Sequence, residues 1–205
     1  YIDNIREAEK VFVKELRANM FTIAKDVKIQ IEFNPAEAKA YRLIGYENRI
    51  LNIVDFADDT KDAGELGAGQ TVTALYEIIP AGSDTEVNTA SDLKYQETKE
   101  KESAAKSGDL MTIKFRYKPT DGEQSILIEK PVDNQAKSFA KAGENFYFSA
   151  AVAAFGMQLR DSEYKGSADY DLILDLARKG KGKDSFGYRE EFIRLVESAN
   201  LLDQE

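Results

Sequence analysis

The side chains of this sequence with the clearest capacity for chemistry are acidic residues crowded into one loop. They are Asp55, Asp58, Asp59, Asp62 and Glu65. Calcium binds several carboxylate and carbonyl oxygens at once, so this loop is a candidate cation site. The usual calcium loop alternates its ligands with other residues, whereas here Asp58 and Asp59 are adjacent and Lys61 lies inside the run. We therefore favour a solvated acidic loop, with a cation site as the alternative.

Two other segments have the composition of ligand sites. The glycine-rich run at 64–69 would suit a phosphate-binding loop if a helix followed it, but a strand-like sequence follows, so its glycines are better explained by backbone freedom. The basic run from Arg178 to Lys183 contains Gly180 at the end of a predicted helix. We interpret this run as a helix terminus, with cations near the negative end of the helix dipole, rather than as an anion site.

Enzyme chemistry finds little support in the residue types. Glu32, Glu47 and Glu77 would act as general acid and base only if the fold brought two of them together, and no pattern in the sequence does so. The chain has no His and no Cys. Their absence excludes a Ser-His-Asp triad and a cysteine nucleophile, and removes the commonest zinc ligands. We predict that the chain is not an enzyme and that it has no catalytic, cofactor-binding or metal-binding residues.

Composition indicates a folded domain with an acidic surface. The 205 residues are 42% hydrophobic and 32% charged, with a net charge of −9 at pH 7. This charge opposes binding to nucleic acid and to anionic membrane surfaces. No apolar run approaches the ~20 residues that a membrane-spanning helix needs. The chain begins at Tyr1 without Met, and we expect that a preceding segment, including any targeting signal, has been removed.

Apolar residues that alternate with polar ones predict the strands. The first strand has one dry face and one wet face: Val27, Ile29, Ile31 and Phe33 on the dry face, and Lys28, Gln30, Glu32 and Asn34 on the wet face. Four more strands are predicted, at 38–46, 71–79, 111–117 and 125–129. The last two are joined by a turn at Asp121-Gly122, and Pro131 ends the second of them. Residues 52–69 are predicted as a loop, and 81–109 as a long mobile connection.

Helical patterns flank this strand-rich region on both sides: apolar residues recur at helical spacing at 1–17 and 168–178, and the run at 144–160 is Ala-rich and apolar nearly all round, as in a buried helix. Helices are predicted at 1–17, 144–160 and 168–178, and a third C-terminal helix is predicted to be capped by Ser185. Strands followed by segregated helices indicate the α+β class. We predict an antiparallel β-sandwich-like sheet region at 18–133, a C-terminal bundle of about three helices at 134–205 packed on it, and an N-terminal helix at 1–17.

Several blocks of the sequence carry a family resemblance that spans nearly the whole chain. They are VKIQIEFNPAEAKAYRLIGYENR at 27–49, GAGQTVTALYEIIP at 67–80, SAAVAAFGMQLRDSEYK at 149–165 and FGYREEFIRLVESA at 186–199. The chain resembles the C-terminal region of bacterial von Willebrand factor type A domain proteins, a domain of unknown function. By the same resemblance, YIDNIREAEKVFVKEL at 1–16 looks like the closing helix of a preceding A domain.

The resemblance assigns no site residue to this chain. The metal-ion-dependent adhesion site of an A domain needs the pattern Asp-x-Ser-x-Ser, and the nearest match is the turn from Asp121 to Ser125, where Glu123 replaces the first Ser. What the resemblance implies is a cell-envelope protein, often a lipoprotein, periplasmic or surface-exposed. Its adhesive or scaffolding chemistry would lie in the absent A domain.

The function predicted from the sequence is therefore a non-catalytic structural or interaction module that accompanies a von Willebrand A domain. Its partners would be envelope proteins, bound through the A domain or a sheet face, and a weak dimer of the isolated fragment is a further expectation. The alternative is a ligand-binding sandwich for glycan or peptide. Its ligand would rest on exposed aromatic rings, namely Tyr41, Tyr46, Tyr95 and Tyr164.

Overall fold

The computed structural model describes residues 2, 5–16, 20–46, 50–87 and 107–203. Most of the connection predicted at 81–109 lies outside these residues, as do Glu47 and Tyr95. The chain divides into two compact units. The first comprises Tyr1–Arg42, Tyr46–Val72 and Ile78–Asn134, and the second comprises Leu43–Gly45, Thr73–Glu77 and Gln135–Glu205.

Six strands form two sheets. They are β1 (Thr22–Phe33), β2 (Ala38–Ile44), β3 (Gly64–Gly67), β4 (Leu75–Pro80), β5 (Asp109–Lys118) and β6 (Ile126–Asp133). The larger sheet is antiparallel and has the order β3-β1-β5-β6, while β2 and β4 pair as a second sheet. Four α-helices accompany them in the described residues: α1 (Ile5–Glu9), α2 (Glu144–Leu159), α3 (Tyr170–Lys179) and α4 (Tyr188–Asp203). The predicted α+β class, with sheets followed by C-terminal helices, is confirmed.

The central strand β1 departs from its predicted wet and dry faces. Ile29, Ile31 and Phe33 lie on one face, since they pair in unbroken register with Phe115, Ile113 and Met111. Their burial is uneven, however, because Phe33 is 7% exposed and Ile29 is 53% exposed. Lys28, predicted on the wet face, is 3% exposed. A protein surface therefore covers the polar face at Lys28, and the apolar face is open at Ile29.

A bulge interrupts the pairing of β1 with β5 near the start of β1. The register with β5 shifts between Lys25 and Lys28, and Asp26 has a positive φ of 54°. An extra residue in one strand turns the following side chains to the other face. Ala24 and Asp26, on either side of Lys25, are both buried. No apolar alternation marks this position in the sequence.

Two other predictions about the strands are wrong, one about the loop at 52–69 and one about Pro131. The loop predicted at 52–69 contains β3, a short strand that pairs with β1 despite its two glycines. Left-handed backbone appears only after this strand, at Gly69 with φ 83°. Pro131 does not end the last strand, because it pairs with Thr112 and β6 continues to Asp133. An edge strand tolerates proline, since the absent N–H can face away from the ladder.

The N-terminal helix is shorter than predicted. α1 ends at Glu9 and passes directly into a π-helical segment, Lys10–Lys14. Its apolar side chains are solvent-exposed, with Ile5 at 83%, Phe12 at 60% and Leu16 at 42%. The stripe that predicted this helix therefore lacks a partner surface among the described residues.

The C-terminal helices share one apolar core. Its buried members come from all three helices: Ala151, Ala154, Phe155, Ile173, Leu174, Leu176, Ala177, Ile193 and Val196. Three of them are alanines from α2 and α3, and small side chains allow helix backbones to approach closely. The expectation that α2 is buried nearly all round is wrong, because Phe146, Val152 and Leu159 are 49%, 44% and 60% exposed.

The end of α3 approaches the start of α2 closely. Gly180 is the C-cap of α3 and has ordinary φ (−87°). A methyl group at this position would lie 2.7 Å from Phe148 Cα and 2.8 Å from the Glu144 carbonyl oxygen. The guanidinium of Arg189 donates to the Gly180 carbonyl and to Asn145 Oδ1, and lies 4.9 Å above the Phe148 ring. Gly180 is thus required for close approach and not for a left-handed turn.

The predicted cap of α4 is wrong by one residue. Asp184, not Ser185, accepts hydrogen bonds from the backbone N–H groups of Arg189 and Glu190, at 3.2 and 2.8 Å. Burial alone would raise the pKa of Asp184, but the N–H groups of Glu190 and Arg189 outweigh it and lower the pKa below 3.8. The carboxylate stabilises the positive end of the helix dipole.

Replacement of Gly180 by alanine should destabilise the helical unit. The new methyl group must displace the α2 backbone, and such overpacking costs about 1–3 kcal/mol. Gly156→Ala is the matched control, because its site in α2 has nothing within 4 Å. Alanine there should raise stability by about 0.5–1 kcal/mol through helix propensity. Urea denaturation measures both, and equal shifts for the two variants would contradict the close approach.

The Asp184 cap should make stability depend on pH in the acid range. Because the folded pKa lies below the unfolded one, its contribution is fully present above 3.8 and is lost as pH falls through the folded value. Asp184→Asn should therefore be less stable than the parent at neutral pH. The difference between their free energies of unfolding should become smaller as the pH falls below 3.8. Asp161→Asn is the control: Lys165 also lowers the pKa of Asp161, but this ion pair is exposed at the surface, so the pH-dependent loss of stability should be much smaller. If thermal denaturation shows the same difference in stability between variant and parent at every pH, the cap is contradicted.

Candidate functional site

A cluster of charged side chains lies between the larger sheet and the acidic loop, and two of its members, Asp26 and Lys28, are buried. We call it the Asp26 cluster and define it as Asp26, Lys28, Asp59, Arg116 and Lys118. Asp26 Oδ2 lies 3.0 Å from Lys118 Nζ and 3.6 Å from Lys28 Nζ, and Asp59 Oδ1 lies 3.6 Å from Arg116 Nη1. The β1 bulge places Asp26 here, and the β1–β5 pairing brings the three cations together.

The cations of this cluster also hold the acidic loop in place. Lys28 Nζ donates to the Asp58 carbonyl at 2.6 Å, and Lys118 Nζ donates to the Asp59 carbonyl at 2.7 Å. Phe56, which is 8% exposed, lies beneath the Arg116 guanidinium at 5.6 Å. The predicted solvated loop is therefore anchored at its centre by buried lysine and by an aromatic contact.

The electrostatics of the cluster favour the charged forms of Lys118 and Asp59. A hydrogen bond to Asp26 raises the pKa of Lys118. A hydrogen bond from the Ser125 side chain, followed by the nearby Arg116 and Lys118, lowers the pKa of Asp59. Ser125 in turn accepts from Arg116 Nη1 at 2.7 Å. A raised lysine pKa and a lowered aspartate pKa oppose proton transfer at neutral pH, which is typical of structural ion pairs.

Part of the cluster keeps unused hydrogen-bonding capacity. Asp26 Oδ1 and Arg116 Nε are buried and have no hydrogen-bond partner among the described residues. A polar cavity of about 290 Å³ lies alongside, with five acidic residues, two lysines and one threonine: Asp26, Asp59, Asp62, Glu65, Glu123, Lys25, Lys118 and Thr60. The lysines within this lining balance part of its negative charge.

The individual acids of the loop have local partners. Thr60 donates from its N–H and its hydroxyl to Asp58 Oδ1, at 2.9 and 2.7 Å, and these bonds lower the pKa of Asp58. Asn52 donates to Asp55 at 3.2 Å, and the Thr22 hydroxyl donates to Glu65 at 3.0 Å. In the part of the chain that the structure describes, no group of three or more carboxylates is arranged to hold a metal ion.

The other candidate residues are engaged in pairs. Glu32 binds Lys114 at 2.6 Å on the polar face of the sheet, and Glu77 lies exposed on β4. In the basic run, Arg178 pairs with Glu197, Lys179 with Asp175 and Lys181 with Glu190. These carboxylates neutralise the run where α3 ends, in agreement with its interpretation as a helix terminus.

The predicted tyrosines differ in their surroundings. Tyr41 stacks on Phe33, with ring centroids 4.2 Å apart, and remains 55% exposed. Tyr46 is 41% exposed and has a positive φ of 62°. Tyr164 is 54% exposed and belongs to the second unit. The Phe33 ring behind Tyr41 fixes the plane in which that tyrosine ring is presented.

The described helices include none with both the length and the apolar character needed to cross a membrane.

Removal of Lys28 should test whether the cluster anchors the loop. Its side chain is 1% exposed, and removal of one partner from a buried ion pair costs about 3 kcal/mol or more. Lys28→Met keeps the apolar stem, so the loss reports mainly on the charge. Lys114→Met is the control, because its partner Glu32 is 64% exposed and a surface pair contributes about 0–1 kcal/mol. If urea denaturation shows that both variants lose the same free energy of unfolding, an anchoring role for Lys28 is contradicted.

Comparison with known proteins identifies the family. A family model described as "Uncharacterized protein YfbK, C-terminal" matches residues 18–202. "Uncharacterized protein YfbK" of Escherichia coli (strain K12) is 41% identical over 200 residues, which make up 98% of this chain and 34% of the relative. The chain therefore spans about a third of that relative's length. No solved structure matches the chain. The chain belongs to the YfbK C-terminal family.

Proposed function

We propose that this chain is a non-catalytic structural or interaction module at the C-terminal side of a von Willebrand factor A domain. The whole protein would act in adhesion or scaffolding in the bacterial cell envelope, on the periplasmic or outer side. One observation carries the proposal: the apolar stripe of the N-terminal helix is exposed. Ile5 and Phe12 are 83% and 60% exposed, and the adjacent Val13 is 67% exposed.

Such a stripe supports the proposal because an amphipathic helix of this length is marginal in water without a surface to pack on. The closing helix of an A domain packs on that domain's own sheet, which would cover Ile5, Phe12 and Leu16. The resemblance of residues 1–16 to such a helix supplies the neighbour that the exposed side chains require.

The family comparison supports the same arrangement. The match begins at residue 18, after this helix, and the family is described as C-terminal. The relative is about three times as long as the aligned region. A module of this kind would accompany a larger region of the same polypeptide, and the A domain is our proposal for the part next to it.

The geometry of the Asp26 cluster supports a non-catalytic role. Lys28 and Lys118 donate to backbone carbonyls of the protein's own loop, so their charge is used in holding structure. A catalytic base or nucleophile at neutral pH needs a pKa moved toward neutrality, whereas those of Lys118 and Asp59 move away from it.

A second candidate is a glycan- or peptide-binding surface centred on Tyr41. The ring is half-exposed and stacks on Phe33, a rigid arrangement suited to contact with a flat apolar ligand face. Binding of glycan or extended peptide that Tyr41→Ala abolishes and Tyr164→Ala preserves would favour this candidate over the structural module.

Deletion of residues 1–17 should leave the rest of the chain folded. Because Ile5, Phe12 and Leu16 are exposed, their removal forfeits little burial. The melting temperature should stay within a few degrees of the parent, and any weak dimer through this stripe should disappear in sedimentation equilibrium. Ile193→Ala is the positive control, because Ile193 is 5% exposed in the helical core and such truncations cost about 2–5 kcal/mol.

Unfolding of the deletion variant would show that the helix belongs to this module's own core and would remove the main support for an A-domain neighbour. The coding sequence immediately upstream gives an independent check. It should encode an A domain whose last helix is residues 1–17, and a different fold there would overturn that part of the proposal.

A further inference from the structure

The larger sheet has an apolar face that is open at one end. Ile29, Phe115 and Ile128 pair directly across β1, β5 and β6, so they form one row on the same face. Ile126, opposite Tyr117, extends this face along β6. We call these residues the open row. Ile29, Ile126 and Ile128 are 53%, 44% and 50% exposed.

The other end of the same face is covered. Phe33 lies four residues along β1 from Ile29, on the same side of the strand, and is 7% exposed beneath the stacked ring of Tyr41. The face is therefore built to be buried, and among the residues that the structure describes its cover ends before the open row. Contiguous exposed apolar surface of this kind marks an interaction site in soluble proteins.

We infer that the open row is covered in the complete protein by the part of the same polypeptide that precedes this chain. The inference rests on the proposed function in one respect, namely that the module works beside a longer region of its own chain. The relative extends well beyond the aligned third of its length, which provides such a region. The exposed apolar residues Phe21 and Ile23, at 60% and 54%, lie where the chain enters β1 from the N-terminal side.

A second copy of this chain is a poorer fit to the open row. In a two-fold dimer each copy presents the same patch, so the charge on that patch is doubled. Lys130 pairs with Ile113 and therefore lies on this face, which would bring two lysines into one interface. The net charge of −9 also opposes self-association. Edge-to-edge extension of β6 is disfavoured by Pro131.

The chain has no cysteine, so a single introduced thiol reports on one position. Ile128→Cys probes the open row, and Glu129→Cys is the matched control on the opposite face, where Glu129 pairs with Lys114 across the strands. Maleimide labelling is followed by peptide mapping in two forms of the protein, the 205-residue chain and the complete gene product. We expect both thiols to label rapidly in the chain alone. In the complete product, labelling at 128 should slow by about tenfold or more through burial while labelling at 129 changes little.

Three outcomes would overturn the inference. Slow labelling at 128 in the 205-residue chain at low concentration would place the cover within the chain itself. Slow labelling that appears only at high concentration, together with a dimer, would make a second copy the occupant. Equal labelling at 128 in both forms, or a gene product with no preceding region, would leave the row without the proposed cover. The deletion of residues 1–17 tests the helix and not this face, so the two proposals can fail separately.

Discussion

The buried ammonium of Lys28 is the constraint on which the first unit depends. A charge that is removed from water must be paired and hydrogen-bonded, and Lys28 meets this requirement with Asp26 and the Asp58 carbonyl. Asp26 reaches the lysine only because the bulge in β1 turns it inward with a positive φ. The bulge, the register with β5 and the path of the acidic loop therefore depend on one another. An arrangement of this kind specifies one loop conformation, whatever its net contribution to stability.

In the second unit, too, a cation holds an irregular backbone segment in place. Arg189 donates to the carbonyl of Gly180, at the point where α3 ends, and covers the Phe148 ring. As with Lys28 and Lys118 in the first unit, a cation fixes an irregular segment by binding its backbone carbonyls. The basic run is different, because its cations pair with carboxylates: Arg178 with Glu197, Lys179 with Asp175 and Lys181 with Glu190.

The sequence predicted those parts of the fold in which the polarity of each residue matches its own burial. Two of the C-terminal helices, α3 and α4, and the strand β5 were identified because their apolar residues recur at the period of the element itself, whereas α2 was identified by a sequence that is apolar nearly all round. β3 was missed because glycines carry no such pattern, and Pro131 was misread because its effect depends on whether a strand lies at the edge of a sheet. The Asp26 cluster could not be found from alternation, since a lysine on a predicted wet face gives no sign that a loop distant in sequence will cover it. Ser185 and Asp184 are both good caps by type, and backbone geometry decided between them.

The two faces of the larger sheet differ in polarity, and this difference indicates on which side of the sheet a neighbouring region would pack. On the polar face, Lys114 pairs with Glu32 and with Glu129, and these charges are satisfied in water. The opposite face places Ile29 and Ile128 side by side at half exposure, and each carries apolar surface that water solvates poorly. The polar face satisfies its charges around Lys114 without a neighbour, whereas the open row is stabilised only when an apolar surface covers it. This asymmetry favours a neighbour on the open-row side, and the exposed stripe of the N-terminal helix favours one along the chain before β1. A single preceding region of the same polypeptide would meet both requirements with one interface.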